Sequence, residues 1–141
     1  MRETAIVGAG SWGTALAALW SADSRPICLW GNDRERIARV QSSRENVDYL
    51  PGIHLAENVR ATPDLDCCGR AELIVFVAPS IALRAIATRV CEAGVRDDAA
   101  MLSCTKGRTE RSTVPQAQVV LMIITARMAQ SLRSIMGRCL N

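Results

Sequence analysis

Short apolar runs alternate with helix-like patterns along most of the chain. The runs Glu3–Val7, Ile27–Trp30 and Leu73–Ala78 predict buried strands, and the last has the unbroken apolar character that is typical of a central parallel strand. Between the first two runs, the spacing of apolar residues predicts a helix over Ser11–Ser21 whose sheet-facing side includes Leu19. Alternation of this kind predicts an α/β fold with a doubly wound, mostly parallel sheet.

Weaker patterns continue the alternation. They predict, in chain order, a helix over 34–41, a strand over 59–61, a helix over 81–93 and a strand over 99–104. We expect Ser80 to cap the helix that follows it, and Thr62 to cap a brief helix with Pro63 at its first position. The polar segment from Ser43 to Gly52 is expected to be a loop that ends in a turn.

The pattern changes after residue 107. The apolar run 119–124 fits either a strand or a buried helical segment, and residues 126–136 predict a helix with arginines on one side. The sequence therefore predicts one domain over residues 1–107, followed by a divergent or truncated, partly helical tail over 108–141.

A glycine-rich motif lies between the first predicted strand and the first predicted helix. It reads G-x-G-x-x-G, with glycines at positions 8, 10 and 13. In a dinucleotide site, Gly8 permits a tight turn, Gly10 lets the backbone approach a pyrophosphate, and Gly13 lets the helix pack closely. The phosphates would lie against free N–H groups at the helix N-terminus. The motif thus indicates a Rossmann-like domain that binds a dinucleotide.

The choice between the two nicotinamide cofactors depends on the residues after the second strand. Asp33 stands twenty residues after Gly13, where this fold places the group that meets the adenosine ribose, and it also fits the N-cap of the next helix. A carboxylate there accepts hydrogen bonds from ribose hydroxyls and repels a 2′-phosphate, whereas Arg34 would pair with that phosphate. The cofactor is therefore NAD or NADP, and Asp33 favours NAD.

Two further candidates fall just past predicted strands. In an open α/β sheet the ligand crevice lies outside the carboxyl ends of the strands, and both Pro79 and Lys106 are expected there. Lys106 is the only lysine among 17 basic residues. A lone lysine is usually a solvated surface group, but this position favours contact with a ligand.

Composition excludes several other classes of function. The net charge is only +3 and the aromatic residues are three Trp, one Tyr and one Phe, so a basic, base-stacking nucleic-acid surface is not expected. Six cysteines without a C-x-x-C pair, and His54 as the sole histidine, give no metal-site spacing and indicate free thiols in a reducing cytoplasm. No apolar run is long enough to span a membrane. The sequence assembles no catalytic constellation and gives no oligomeric state.

An ordered set of motifs carries a more specific resemblance. The segments are VGAGSWGTAL at 7–16, LWG at 29–31, REN at 44–46, YLPGI at 49–53, NVRAT at 58–62, APS at 78–80 and KG at 106–107. With these motifs, residues 1 to 107 resemble the N-terminal domain of bacterial NAD(P)-dependent glycerol-3-phosphate dehydrogenase.

The resemblance implies a reaction and roles for several residues. In that family, hydride passes between the nicotinamide cofactor and C2 of a small-molecule substrate, dihydroxyacetone phosphate or glycerol 3-phosphate, in a step toward phospholipid synthesis. By matching position, Ser11, Trp12, Asn32 and Asp33 would contact the cofactor, and Lys106 would meet both cofactor and substrate. An ammonium group near the reacting carbonyl would stabilise the alkoxide charge that develops during hydride transfer.

The chain also departs from the family pattern. The family usually has a basic residue at the position of Asn32 or Asp33 to accept a 2′-phosphate, so Asp33 disfavours tight NADP binding unless Arg34 substitutes. The family's second, helical domain carries the general-base lysine and the substrate-phosphate arginine. We expect that domain to be absent and the chain to be catalytically incomplete, as a truncated or frameshifted product would be.

An alternative from a different class is a non-enzymatic nucleotide-binding or assembly module. Its basic C-terminal helix, with Arg127, Arg133 and Arg138, would dock on a partner. A solvated helix face is the commoner explanation of such spacing.

Overall fold

The computed structural model describes residues 3–105. Its strands are β1 (Glu3–Val7), β2 (Ile27–Trp30), β3 (Glu45–Asn46), β4 (Leu50–His54), β5 (Val59–Thr62), β6 (Ala71–Phe76) and β7 (Ala100–Ser103). Its α-helices are α1 (Ser11–Trp20), α2 (Arg34–Ser43) and α3 (Ser80–Ala93), and two short 3-10 segments cover Ser21–Asp23 and Leu65–Gly69. The alternation of strands and helices predicted from the sequence is confirmed.

Five of these strands form one parallel sheet in the order β5-β2-β1-β6-β7. Val7, at the end of the central strand β1, pairs with Trp30 on one side and with Phe76 on the other. The chain therefore moves outward from β1 in one direction through β2 and β5, and then returns to continue on the other side through β6 and β7. This reversal of strand order opens a crevice at the carboxyl ends of β1 and β6.

Both faces of the sheet are covered, which confirms the doubly wound architecture. Side chains alternate along β1, so that Ala5 and Val7 lie on one face and Ile6 on the other. The first face packs against α3 and the 3-10 segment 65–69, and the second packs against α1 and α2. Because each face has its own apolar core, the fully buried parts of the central strands, Ala5–Val7 in β1 and Ile74–Phe76 in β6, carry only apolar side chains.

The buried face of α1 differs from the predicted one. Leu19 is 68% exposed, whereas the buried residues of the helix are Gly13, Thr14, Leu16 and Ala17. The first turn packs against the glycine loop and the β3–β4 segment, and this contact rotates the buried stripe away from Leu19. The prediction of Leu19 as a sheet-facing residue was wrong.

The polar segment 43–52 is not the simple loop that the sequence predicts. Arg44 ends α2 in a left-handed conformation (φ 60°), after which β3 and β4 pair as an antiparallel hairpin. A carboxylate oxygen of Glu45 accepts a hydrogen bond from the Gly52 N–H at 2.7 Å. A polar side chain thus closes the hairpin. The segment therefore lacks the alternation of apolar and polar residues from which a strand is predicted.

Two predicted helix starts are also corrected. The segment after Pro63 is a 3-10 turn that begins at Leu65, because the Thr62 hydroxyl accepts a hydrogen bond from the Asp64 N–H and holds a turn there instead. Ser80 is the first residue of α3 and not its cap. Pro79 occupies the cap position, and its carbonyl accepts a hydrogen bond from the Ala82 N–H.

Several predictions fall outside the described residues. These are the boundary at residue 107, the apolar run 119–124 and the helix over 126–136 with its arginines. Within residues 3–105, no helix is both long enough and apolar enough to cross a membrane.

Candidate nucleotide-binding cleft

A cleft of about 470 Å³ opens at the carboxyl ends of the parallel strands. It is lined by residues 8–12 after β1, 30–32 at the end of β2, 77–79 after β6 and 104–105 after β7, with Arg36, Tyr49 and Ile86 at its sides. The volume lies within the range that small-molecule and cofactor sites occupy. The carboxyl ends of four neighbouring strands of the sheet, β2, β1, β6 and β7, therefore surround one open space.

Two glycines of the loop are required by the packing of the backbone on itself. Gly8 has a φ of +132°, and a Cβ atom there would lie 2.8 Å from the carbonyl carbon of Val77. A Cβ atom on Gly13 would lie 1.8 Å from the carbonyl oxygen of Gly8. Neither position has room for a side chain, so these two glycines hold the loop close to α1 and to the β6–α3 connection.

Gly10 is different, because nothing among residues 3–105 requires a glycine there. Its backbone (φ −83°, ψ −169°) suits any residue, and a Cβ atom would meet no atom within 4 Å. The residue caps α1 without a side-chain hydrogen bond, and the first turn of α1 contains no acidic residue. Ser11 and Trp12 of that turn line the cleft, and the free N–H groups of a helix N-terminus are a typical binding site for a phosphate group.

The end of β2 is held by a set of polar contacts. The Trp30 indole Nε1–H donates to the Pro63 carbonyl at 2.8 Å, and the Arg89 guanidinium lies 5.5 Å from the centre of the Trp30 ring. From there Arg89 Nη1 donates to Oδ1 of Asn32 at 3.3 Å. Asn32 is thus positioned at the cleft wall from two elements, β2 and α3.

Asp33 and Arg34 do not line the cleft. Asp33 is the N-cap of α2, and its Oδ1 accepts a hydrogen bond from the Arg36 backbone N–H at 3.0 Å. That hydrogen bond lowers the pKa of the Asp33 carboxyl. Arg34 points to Asp64, with 3.5 Å between Nη2 and Oδ1, and its side chain is 76% exposed. The capping role of Asp33 is confirmed, and its contact with a ribose stays a prediction.

Sequence reasoning gave no site role to Arg36 or Tyr49, which both line the cleft. The Arg36 guanidinium carbon lies 4.8 Å from the centre of the Tyr49 ring, and Arg36 Nη1 lies 3.4 Å from the Tyr49 hydroxyl. The sequence did contain a signal for Arg36. It lies three residues after Asp33, the predicted cap of α2, and therefore in the first turn of a helix that begins at the end of β2. Tyr49 could not be placed because the hairpin that carries it was not predicted.

Asn46 fastens that hairpin to the glycine loop. It is fully buried, and its Nδ2 donates to the Ala9 carbonyl at 3.1 Å and to the Thr14 hydroxyl at 2.8 Å. These contacts join β3, the loop and α1 at one point. The hairpin is therefore a fixed wall of the cleft.

The remaining predicted site residues divide into two groups. Gly8, Gly10, Ser11, Trp12, Asn32 and Pro79 line the cleft, while Gly13 lies beneath it and supports Gly8. Lys106 lies outside the described residues, so its contacts with cofactor and substrate stay predictions. The two residues before it, Cys104 and Thr105, do line the cleft.

Three thiols meet outside the cleft, in the core beneath residues 65–69. Hydrogen bonding to Cys67, together with burial, raises the pKa of Cys28 and of Cys68, and hydrogen bonds from those two thiols lower the pKa of Cys67. Cys28, Cys67, Cys68 and Cys104 are free thiols. No group of three or more ligating side chains within residues 3–105 could hold a metal ion.

Comparison with known proteins shows which family this chain resembles. A family model described as the N-terminus of NAD-dependent glycerol-3-phosphate dehydrogenase matches residues 3–138, which extends past the predicted boundary at 107. The glycerol-3-phosphate dehydrogenase (NAD(P)+) of Bacillus licheniformis is 42% identical over 87 residues, which are 61% of this chain and 25% of that protein. The protein of the same name from Syntrophotalea carbinolica is 31% identical over 133 residues, which are 94% of this chain and 40% of that protein.

A solved structure agrees with the sequence comparisons. Glycerol-3-phosphate dehydrogenase from Coxiella burnetii superposes with a TM-score of 0.80 at 29% identity, covering 87% of this chain and 38% of that one. The chain thus spans between a quarter and two fifths of the length of these relatives. It belongs to the NAD-dependent glycerol-3-phosphate dehydrogenase family, within the N-terminal part that the family model describes.

Proposed function

We propose that the chain binds NAD or NADP in this cleft, with the pyrophosphate of the dinucleotide against the N-terminus of α1. The observation that carries the proposal is Gly10. Its backbone conformation and its described surroundings accept a side chain, so packing within the described part of the chain does not explain the glycine. Close approach of a ligand phosphate to the backbone does explain it.

The neighbouring residues suit the two halves of such a cofactor. Asn32 and the end of β2 would face the adenosine half, since this fold places the adenosine ribose after its second strand. The residues after β6 and β7, among them Pro79 and Thr105, would face the nicotinamide half. The open apolar surface of Trp12, which is 57% exposed and lines the cleft, would be covered on binding.

We further propose that the chain supplies the cofactor half of an oxidoreductase. The bound nicotinamide would supply or accept the hydride, and the substrate would be dihydroxyacetone phosphate or glycerol 3-phosphate, as in the relatives named glycerol-3-phosphate dehydrogenase. Lys106 would hold the substrate beside the ring. The buried, free cysteines are typical of a protein in a reducing compartment, which supports a cytoplasmic location.

Titration with NADH tests the binding proposal directly. We expect saturable quenching of tryptophan fluorescence, because Trp12 and Trp30 line the cleft. ADP should compete with NADH, whereas adenosine, which lacks the pyrophosphate, should compete far more weakly. Absence of saturable binding, or equal competition by adenosine and ADP, would contradict the proposal.

A further inference from the structure

We propose that Arg36 receives the 2′-phosphate of NADP, so that the chain binds NADPH more tightly than NADH. The assignment rests on the proposed function of the cleft and adds to it the side chain that decides between the two cofactors. The contacts of Arg36, and of the charged residues beside it, carry the assignment.

Arg36 is the only side chain with a formal charge among the described residues that line the cleft. Its side chain is 22% exposed, and its buried Nε has no hydrogen-bond partner within residues 3–105. A guanidinium that has lost much of its water and keeps an unused N–H donor is costly unless an acceptor arrives. An anionic ligand in the cleft would supply that acceptor.

The partners that Arg36 does have hold it in place without satisfying it. The Tyr49 ring lies under the guanidinium at 4.8 Å, and the two polar contacts of Nη1 are long, 3.4 Å to the Tyr49 hydroxyl and 3.8 Å to Oδ2 of Asp33. The guanidinium is therefore oriented in advance and retains donors for a ligand. Its planar fork matches the oxygens of a phosphate group.

The residues that the sequence suggested for this choice are occupied elsewhere. The carboxylate of Asp33, which would repel a 2′-phosphate, is outside the cleft lining and accepts the Arg36 backbone N–H. Arg34, the cation expected to accept the phosphate, pairs with Asp64. A second guanidinium, that of Arg89, reaches Asn32 at the same end of the cleft. The Asp33 carboxylate also lies near this guanidinium, with 3.8 Å between Oδ2 and Arg36 Nη1. Two guanidinium groups therefore stand against one carboxylate at the end of β2, and the remaining positive charge favours a phosphate.

Two substitutions on the same helix separate this role from a general one. We expect the unmodified chain to bind NADPH about ten- to a hundredfold more tightly than NADH, the range that a charged hydrogen bond provides. Arg36→Gln should remove that difference by weakening NADPH alone. Arg34→Gln is the matched control and should leave both dissociation constants unchanged.

A fragment of the cofactor and a second variant complete the test. Adenosine 2′,5′-bisphosphate should bind more tightly than 5′-AMP to the unmodified chain, and equally to Arg36→Gln. Arg36→Lys, which keeps the charge but not the fork, should retain part of the preference.

Four results would overturn the assignment. They are tighter binding of NADH than of NADPH, binding of both cofactors without a preference, loss of the preference in Arg34→Gln, and equal weakening of both cofactors in Arg36→Gln, which would mark Arg36 as a support for Tyr49 only. If neither cofactor binds the unmodified chain, the proposed function itself fails. Binding of both without a preference overturns the Arg36 assignment alone.

Discussion

The two walls of the cleft are held by different forces. In the glycine loop (residues 8–13), backbone packs directly on backbone, and a methyl group on Gly13 would stand 1.8 Å from the Gly8 carbonyl oxygen. In the hairpin (residues 45–54), polar side chains make the decisive contacts, above all the buried amide of Asn46. Added side-chain volume at Gly8 or Gly13 is therefore expected to destabilise the loop. In the hairpin, loss of a hydrogen-bond donor is expected to have that effect.

Because of this difference, we expect some residues of the two walls to affect the free energy of unfolding, some to affect cofactor affinity, and some to affect both. Within the loop, Gly13 is required by the packing of the backbone, whereas we expect Gly10, only three positions away, to serve the ligand. In the hairpin one residue, Asn46, serves both, because it fixes the wall that carries Tyr49. Substitutions at these three positions should therefore give three distinct combinations of unfolding free energy and cofactor affinity.

The largest expected effect comes from Gly13→Ala. The added methyl group must displace the backbone at Gly8, since a carbonyl oxygen cannot move as a flexible side chain does. We expect the free energy of unfolding to fall by about 3 kcal/mol or more, measured by urea denaturation followed by circular dichroism. The matched control is Gly69→Ala, where the added atom would lie 3.5 Å from the Gly94 oxygen, at ordinary contact distance. Equal stability of the two variants would contradict the backbone account of the loop.

Asn46→Ala should have the next largest effect. It removes both donors from the Ala9 carbonyl and the Thr14 hydroxyl in a buried site, which costs about 1–3 kcal/mol of unfolding free energy. It should also weaken NADH binding, because the hairpin loses its attachment to the loop. Asn58→Ala is the control, since the Asn58 amide also donates to two carbonyls, those of Ser21 and Arg25, away from the cleft. If Asn58→Ala weakens NADH as much as Asn46→Ala does, the hairpin is not a binding wall.

A smaller, pH-dependent effect is expected from Asp33→Ala at the start of α2. The pKa of this carboxyl is lowered in the folded chain by the Arg36 N–H. Its stabilising contribution is therefore present above the ordinary pKa of an aspartate and is lost as the pH falls through the lowered value. The Tm of Asp33→Ala should lie below that of the unmodified chain at neutral pH, and the two should converge in acid. Asp33→Asn, which preserves the cap, should stay closer to the unmodified chain. A difference in Tm that persists in acid would show that the ionised cap is not its cause.

Most of the fold could be predicted because its signals are local. The runs that become β1 and β2, the helix between them and the glycine motif each depend on residues a few positions apart. The hairpin could not be predicted, since Asn46 contacts Ala9 and Thr14, which are 37 and 32 positions away. The wrong prediction for Leu19 has the same cause. Its exposure follows from the packing of the first turn of α1 against residues that are distant in the sequence.

The same distinction between local signals and distant contacts applies to the residues of the site. Gly8, Gly10 and Pro79 line the cleft, as expected from their positions one to three residues after a strand end, and their contacts with a cofactor stay predictions. Arg34 was considered for the 2′-phosphate and Arg36 was not, because the sequence cannot show which side chain of a helical turn has another partner. Asp64, which forms the ion pair with Arg34, lies thirty residues later in the chain, in the segment after β5.

The most direct test of the central claim is the NADH affinity of Gly10→Ala beside that of Gly69→Ala. Both add one methyl group, and Gly10 has open space and an ordinary backbone conformation, so both variants should keep the unfolding free energy of the unmodified chain. The account predicts that Gly10→Ala weakens NADH binding by about tenfold or more, while Gly69→Ala leaves it unchanged. Unchanged NADH affinity in a folded Gly10→Ala variant would contradict the claim that the pyrophosphate lies against this loop.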